Sequence, residues 1–481
     1  MLLRSNVIFE IRTELRGSSH IDGIYKDQRE ALARADALIG QIKYEAVRIF
    51  AVDPSLREKM IFEKITSIAE APIRIMPADD VITLSSSSDL YSFRFRLMLG
   101  RILRNYLDRE NIPVIELIHN RERLTRLTKD HKVYTQVISQ LKKVLEPSDT
   151  LKKQGDGLAE RLLTDVLKQT NDFESFLPAA TALDHGGITG LLQFIETAPE
   201  SKRSILLTFA LAKRLSTVTS WTQKIETIIS LFGESISENG LHLLDEALAE
   251  LLDGATAIKE IMGAATDLSE VLDVLVGLLG IDLRLAAPRT AAVVPRIRAI
   301  SRTQQLPATE EIVLRRILKT LDGSMRLTNF GRDAEETVLR RLIIGLCDSV
   351  GCRGGGSMAL ALIKRARSVL GNGIEDLSFD EAVNEVCSLL PNKSSVISLI
   401  ISLKGAPTIT EGQSSFLLKK LAEIFLQTRN LSDLFGDTLE KSEKEQLVQQ
   451  LAITLAASAL PVDLSRNLLL RLESFVKQGK Y

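Results

Sequence analysis

Apolar residues follow a helical period over most of this chain. From about Leu90 onward, Leu, Ile, Val and Ala recur at spacings of three and four, the stripe that a core-facing helix buries. The spacing predicts helices from Tyr91 to Leu107, Pro113 to Leu145, Gly240 to Leu252, Thr309 to Leu321, Asp333 to Val350 and Ser442 to Leu460, among others. A period of two occurs only near the start, where Val7, Phe9 and Ile11 alternate with Ile8, Glu10 and Arg12 and predict a strand. The loop Gly17 to Gly23 follows, then a helical stripe of Ala31, Leu32, Ala35, Leu38 and Ile39 ending at Gly40, then a second strand from Tyr44 to Val52. This order predicts a βαβ unit with parallel strands. Leu56 to Ile68 has the spacing of a second helix, and Ile73 to Ile75 or Val81 to Leu84 that of a third strand. The expected fold class is predominantly α, with a small N-terminal βαβ (α/β) module followed by a long helical bundle or irregular α-solenoid body. Helices should occupy about 60 to 75% of residues and strands under about 10%, all before Ser85.

Breaks in the pattern suggest the domain organisation. Ser85 to Asp89 combines serines with an acid, a linker followed by a helix cap, and closes a module over 1–84. The segment 286–307 holds Pro288, Pro295 and Pro307, and carries Arg289, Arg296, Arg298 and Arg302 without an acid. Its prolines argue against a continuous helix. It reads as a linker between helical domains at 90–285 and 308–481. At the start of the last domain, Glu310-Glu311-Ile312-Val313-Leu314-Arg315-Arg316 recurs twenty-five residues later as Glu335-Glu336-Thr337-Val338-Leu339-Arg340-Arg341. Thr309 and Asp333 are the expected N-caps of the two copies. One helix and its turn fit that period, so adjacent copies would run antiparallel.

Composition narrows the partners. The 61 Lys and Arg nearly balance 62 Asp and Glu, so no global field attracts nucleic acid or an anionic membrane. Cys347, Cys352 and Cys387 are the three cysteines, which fits a reducing compartment and free thiols better than a disulfide framework. No apolar run reaches the roughly 20 residues of a membrane-spanning helix, and the first residues do not form a secretory signal. The expectation is a cytoplasmic protein.

Few residues suggest chemistry. Gly17, Ser18, Ser19 and His20 stand where a βα loop could present amides and hydroxyls to an anion, but neither a dinucleotide fingerprint nor a phosphate-loop lysine is present. A second glycine cluster, Gly351 to Ser357, also lacks the lysine, and Cys347 and Cys352 beside it have no neighbouring histidine to complete a zinc pattern. The histidines at 20, 119, 131, 185 and 242 are dispersed. No catalytic or metal constellation and no cofactor follows. The stretch Tyr91 to Lys132 has ten Lys or Arg against five acids, with Phe93, Phe95 and Tyr106 among them. Arg94, Arg96, Arg101 and Arg104 are therefore the candidate nucleic-acid contacts. The first functional reading is a non-enzymatic helical scaffold or regulatory adaptor that binds protein partners. A nucleic-acid-binding regulator using 94–132 is one alternative, and a small-ligand sensor or enzyme using 17–23 the other.

Overall fold

The computed structural model of the chain describes residues 7–15, 18–40, 46–53, 58–65, 75–76, 82–84, 87–147, 158–233, 236–263, 265, 267–285, 291–371, 376–458 and 460–477. They form two compact units, Met1–Arg74 and Ile75–Tyr481. The fold is mainly α with a small α/β unit at its N-terminal end.

In the first unit, strands β1 (Ile8–Leu15), β2 (Ser18–Tyr25), β3 (Ala46–Val52) and β4 (Glu58–Ile65) form one sheet in the order β2-β1-β3-β4, and every neighbouring pair is antiparallel. This corrects the parallel βαβ reading. The segment taken for a loop is itself strand β2, and a connection as short as 16–17 can only return the chain antiparallel. Helix α1 (Gln28–Gly40) then leads to β3, which pairs with the other side of β1. The segment expected as a second helix is β4. Ile11, Val47 and Ile49 bury one sheet face against Ala31, Ala35 and Leu38 of α1. On β1 and the strands beyond it, Arg12 pairs with Glu10 and with Glu58 at 2.6 Å, and Arg48 pairs with Glu63 at 2.6 Å.

The second unit contains two short parallel strands, β5 (Ile82–Leu84) and β6 (Leu145–Pro147). A strand therefore lies beyond Ser85, contrary to the expectation. The rest is helix. The segment 286–307, expected to be a linker, carries the helix Val293–Thr303, which buries Val293, Val294 and Ile297. Pro295 sits in its first turn and Pro307 opens the next helix, positions where a missing N–H costs little. Residues 286–290, like Gly17, Ser85 and Ser86, lie outside the described residues. The helix Phe173–Glu196 kinks at Gly187, whose φ of +59° favours glycine, and a Cβ on Gly190 would stand 2.9 Å from the Ala182 carbonyl oxygen.

The duplicated motif opens the helices Pro307–Leu321 and Arg332–Leu346, but their caps are Leu306 and Gly331, with Thr309 and Asp333 inside the first turns. The main packing partners of the first copy are the helices Glu238–Leu252, Leu268–Leu278 and Gly355–Leu370; those of the second are Gly355–Leu370 and Phe379–Leu389. Both copies use their arginines alike. Arg315 pairs with Glu311 at 2.7 Å and Arg340 with Glu336 at 2.9 Å, one helical turn back. The next arginine in each donates to a backbone carbonyl outside its own helix: Arg316 to Leu252 at 3.0 Å and Asp253, Arg341 to Arg284 at 2.7 Å.

Similar joints recur. Lys224 donates to the carbonyls of Leu215 and Val218, Arg302 to Gly280, Arg365 to Leu321 and Gly323, and Arg471 to Thr428. Each cation meets carbonyls at or just beyond the C-terminus of another helix, where four lack intrahelical partners and the helix dipole is negative.

Near the Phe93–Ile102 helix the core holds an aromatic cluster. Tyr91 stacks on His119 at 5.5 Å between ring centroids, and Phe173 and Phe209 lie at 6.0 and 5.6 Å from it. His119 Nε2 lies 2.8 Å from Thr208 Oγ1, whose own proton goes to the Ser204 carbonyl at 2.9 Å, so Nε2–H is the donor. Nδ1 is buried without a partner. Burial pushes the imidazole down to about 3, with Arg96 adding to the shift. A depressed histidine contributes stability above its unfolded value near 6.5, and this is lost as pH falls toward the folded value. Between pH 6.5 and 5 the parent should lose roughly 1.7 kcal/mol in all more than His119→Phe in urea unfolding. Parallel pH profiles would show that His119 does not carry this sensitivity.

Candidate functional site

The N-terminal loop candidate dissolves into the sheet. Ser18, Ser19 and His20 pair with Leu15, Glu14 and Thr13 across the β1–β2 hairpin, so they are not at a strand-to-helix edge. Gly17 lies outside the described residues.

The basic segment is largely engaged. Arg96 is 2% exposed and donates to Glu250 at 2.7 Å and to the Tyr91 carbonyl. Glu250 also accepts from the Ile115 backbone N–H at 2.7 Å. Arg104 is half-buried and bonds Asp253 at 2.7 Å. Phe95 and Tyr106 are buried, out of reach of a stacked base. Arg101 is half-buried, and Arg94 is exposed. Beside this hub the buried Glu116 and Lys224 form a second ion pair. Burial pushes the Glu116 carboxyl up and the Lys224 ammonium down, and each partner offsets part of the other's shift. The helices Phe93–Ile102 and Glu238–Leu252 thus meet through a desolvated charge pair, which is costly to break from one side. Arg96→Gln should destabilise the protein by about 3 to 5 kcal/mol and Arg94→Gln by no more than about 0.5 kcal/mol. Denaturant titration of the two variants checks this; equal, small losses would contradict it.

A concavity lies away from this segment. A cleft of about 750 Å³ is lined by Ser301 to Pro307, Glu310 and the turn Val350 to Arg353, among others. Arg353 approaches Glu310 at 3.7 Å and Arg302 donates to the Gly280 carbonyl at 2.9 Å, so both cations of the wall already have partners. The turn is tightly held. Asp348 Oδ1 accepts from the N–H groups of Val350 at 2.8 Å and Gly351 at 3.1 Å. Ser398 Oγ donates to the Ser349 carbonyl at 3.0 Å, Ser394 Oγ to Ser349 Oγ at 2.9 Å, and Ser402 Oγ accepts from Cys352 N at 3.3 Å. These three serines recur every fourth residue on one face of the helix Lys393–Lys404. That spacing is visible in the sequence and was the signal available for this site. The glycine cluster beside the turn does not form an anion cradle: a Cβ on Gly356 would stand 2.7 Å from Ser402 O and Ala406 N, so this helix start is closed by its neighbour.

A second concavity, about 510 Å³, is lined by residues from Ala456 to Glu473, with Val462 and Leu470 largely exposed. Leu426 and Ile453 on the preceding helices are also exposed, at 72% and 69%. Among the described residues no group of three or more His, Cys, Asp or Glu is placed to hold a metal ion, and no helix is long and apolar enough to cross a membrane. Comparison with protein-family models, with curated proteins and with solved structures finds no match.

Proposed function

We propose that the chain is a non-enzymatic interaction scaffold that docks a protein partner through the helices Lys441–Ala457 and Val462–Lys477. The observation that carries this reading is the group of large apolar side chains on these helices that the fold leaves in solvent: Ile453, Val462 and Leu470 are 69%, 73% and 56% exposed. Two of them border the groove of about 510 Å³, whose polar members Arg466 and Glu473 can fix the register of an apolar helix laid into it. The buried ionisable groups support the same reading from the opposite direction. Arg96, Glu250, Glu116, Lys224 and His119 hold helices to one another, and none of them lines either of the two concavities described above.

Replacing Val462 and Leu470 together by glutamate should abolish recovery of a protein partner in a pull-down from the native cell, while helicity and unfolding midpoint stay near those of the parent. Both positions are exposed, so the direct effect on stability is within about 0.5 kcal/mol each. Recovery of the same partner by parent and variant would overturn the docking site. A parent chain that carries only nucleic acid or a metabolite would overturn the scaffold reading itself.

A further inference from the structure

Cys347 and Cys352 face each other across a hairpin of their own. Arg353 N–H donates to the Leu346 carbonyl at 2.8 Å and Asp348 N–H to the Gly351 carbonyl at 3.0 Å, a bonding pattern that flanks the two cysteines and leaves them opposite one another as a non-hydrogen-bonded antiparallel pair. Side chains of such a pair leave the same face, with Cα atoms roughly 4.5 Å apart, within the span of about 4.4 to 6.8 Å that a disulfide bridges. Both thiols are free, and Cys352 Sγ donates to the Arg353 carbonyl at 3.7 Å. The turn between them is fixed by the Asp348 carboxylate and by Ser398 and Ser402 of the neighbouring helix, so the sulfurs are held in place before any bond forms.

The sulfurs are not equivalent. Cys352 is 6% exposed and lines the cleft of about 750 Å³, whereas Cys347 is 1% exposed behind it. Only Cys352 offers a route to a small molecule. The hydrogen bond with Cys352 and burial hold the Cys347 thiol well above the usual range, and burial pushes Cys387 up to about 11, so neither favours first attack.

We propose that Cys347 and Cys352 are a thiol–disulfide switch in the wall of this cleft, oxidised by a small-molecule disulfide. Cys352 gives its proton to solvent and its sulfur attacks one sulfur of the oxidant; the oxidant's S–S bond breaks and one half leaves as a thiol after taking up a proton. The Cys347 sulfur then attacks Cys352 Sγ, forming the internal S–S bond and expelling the second half as a thiol with the proton that Cys347 gives up. Two electrons pass from the pair to the oxidant. The new bond joins the end of the helix Arg332–Leu346 to the segment preceding Gly355–Leu370 and locks that edge of the cleft. A reductant returns it.

The test uses the full chain equilibrated with glutathione disulfide, quenched with acid, alkylated under denaturing conditions and mapped by mass spectrometry. The expected product has Cys347 and Cys352 unalkylated and the mass lower by two hydrogen atoms, with Cys387 alkylated; dithiothreitol restores both thiols. The variant Cys347→Ser should trap a glutathione adduct on Cys352, and Cys387→Ser should form the same internal bond as the parent. Alkylation of both Cys347 and Cys352 after oxidation would overturn the proposal. So would an adduct that persists on Cys352 in the parent chain, because it would mean that Cys347 cannot reach it.

Discussion

Many helix ends in this protein are closed by a cation from elsewhere in the chain. An α-helix leaves its last carbonyls without partners and concentrates negative potential there, so a helical body must either wet those ends or bring donors to them. Here donors are brought. Arg365 shows it most completely: buried against the end of the helix Pro307–Leu321, it donates to the carbonyls of Leu321, Gly323 and Met325. Lys224, Arg302, Arg316, Arg341 and Arg471 make comparable contacts at other helix ends and turns. A planar guanidinium suits the task because its fork reaches several oxygens and stays charged when buried.

This use of basic residues also accounts for the chain's electrostatics. A composition balanced between 61 cations and 62 acids could still have hidden a basic face. Instead Arg96 and Arg104, in the basic segment Tyr91 to Lys132, are bound to Glu250 and Asp253 on the helix Glu238–Leu252 or at its end. Such pairs add little net stability over apolar residues of the same shape, but they penalise wrong packings heavily, since a misplaced partner leaves a charge buried alone. Among helices with similar Leu- and Ala-rich stripes, that penalty can specify which pairs meet.

The helical body was legible because amphipathic spacing persists through long segments, and the α/β character of the first unit because β1 alternates cleanly. The sheet topology was not legible. Strand β2 is polar and at the sheet edge, with Ile21 and Ile24 exposed, so its described side chains show no buried alternation to read. The register shift at Ile11 and Arg12 weakens what alternation remains. Strand β4 places Met60, Ile61 and Phe62 in succession, which fits a helix face as well as a bulged strand. In the segment 286–307, counting prolines without placing them concealed a helix whose Pro295 occupies a tolerated first-turn position. The arginine cluster was visible, but its partners lie about 150 residues away, as in Arg96 to Glu250, and one-dimensional spacing gives no access to such pairs. Of the cleft, the glycine turn, both cysteines and the helix from Ser394 to Leu403 could be read; that its serine face anchors the turn could not, because those contacts span 45 to 50 residues.

Apart from these internal joints the molecule offers an apolar groove bordered by the exposed Val462 and Leu470, and a cysteine pair in the wall of a cleft. Both require that the arginines are structural. Arg365 tests that most directly, because its hydrogen bonds run to backbone carbonyls that an apolar side chain in its place leaves without that donor. Urea unfolding of Arg365→Met, beside the exposed Arg94→Met as reference, should show a loss of about 3 kcal/mol or more for the first and clearly less for the second. A loss within about 0.5 kcal/mol for Arg365→Met would contradict the account, because the helix end would then be stable without its cation.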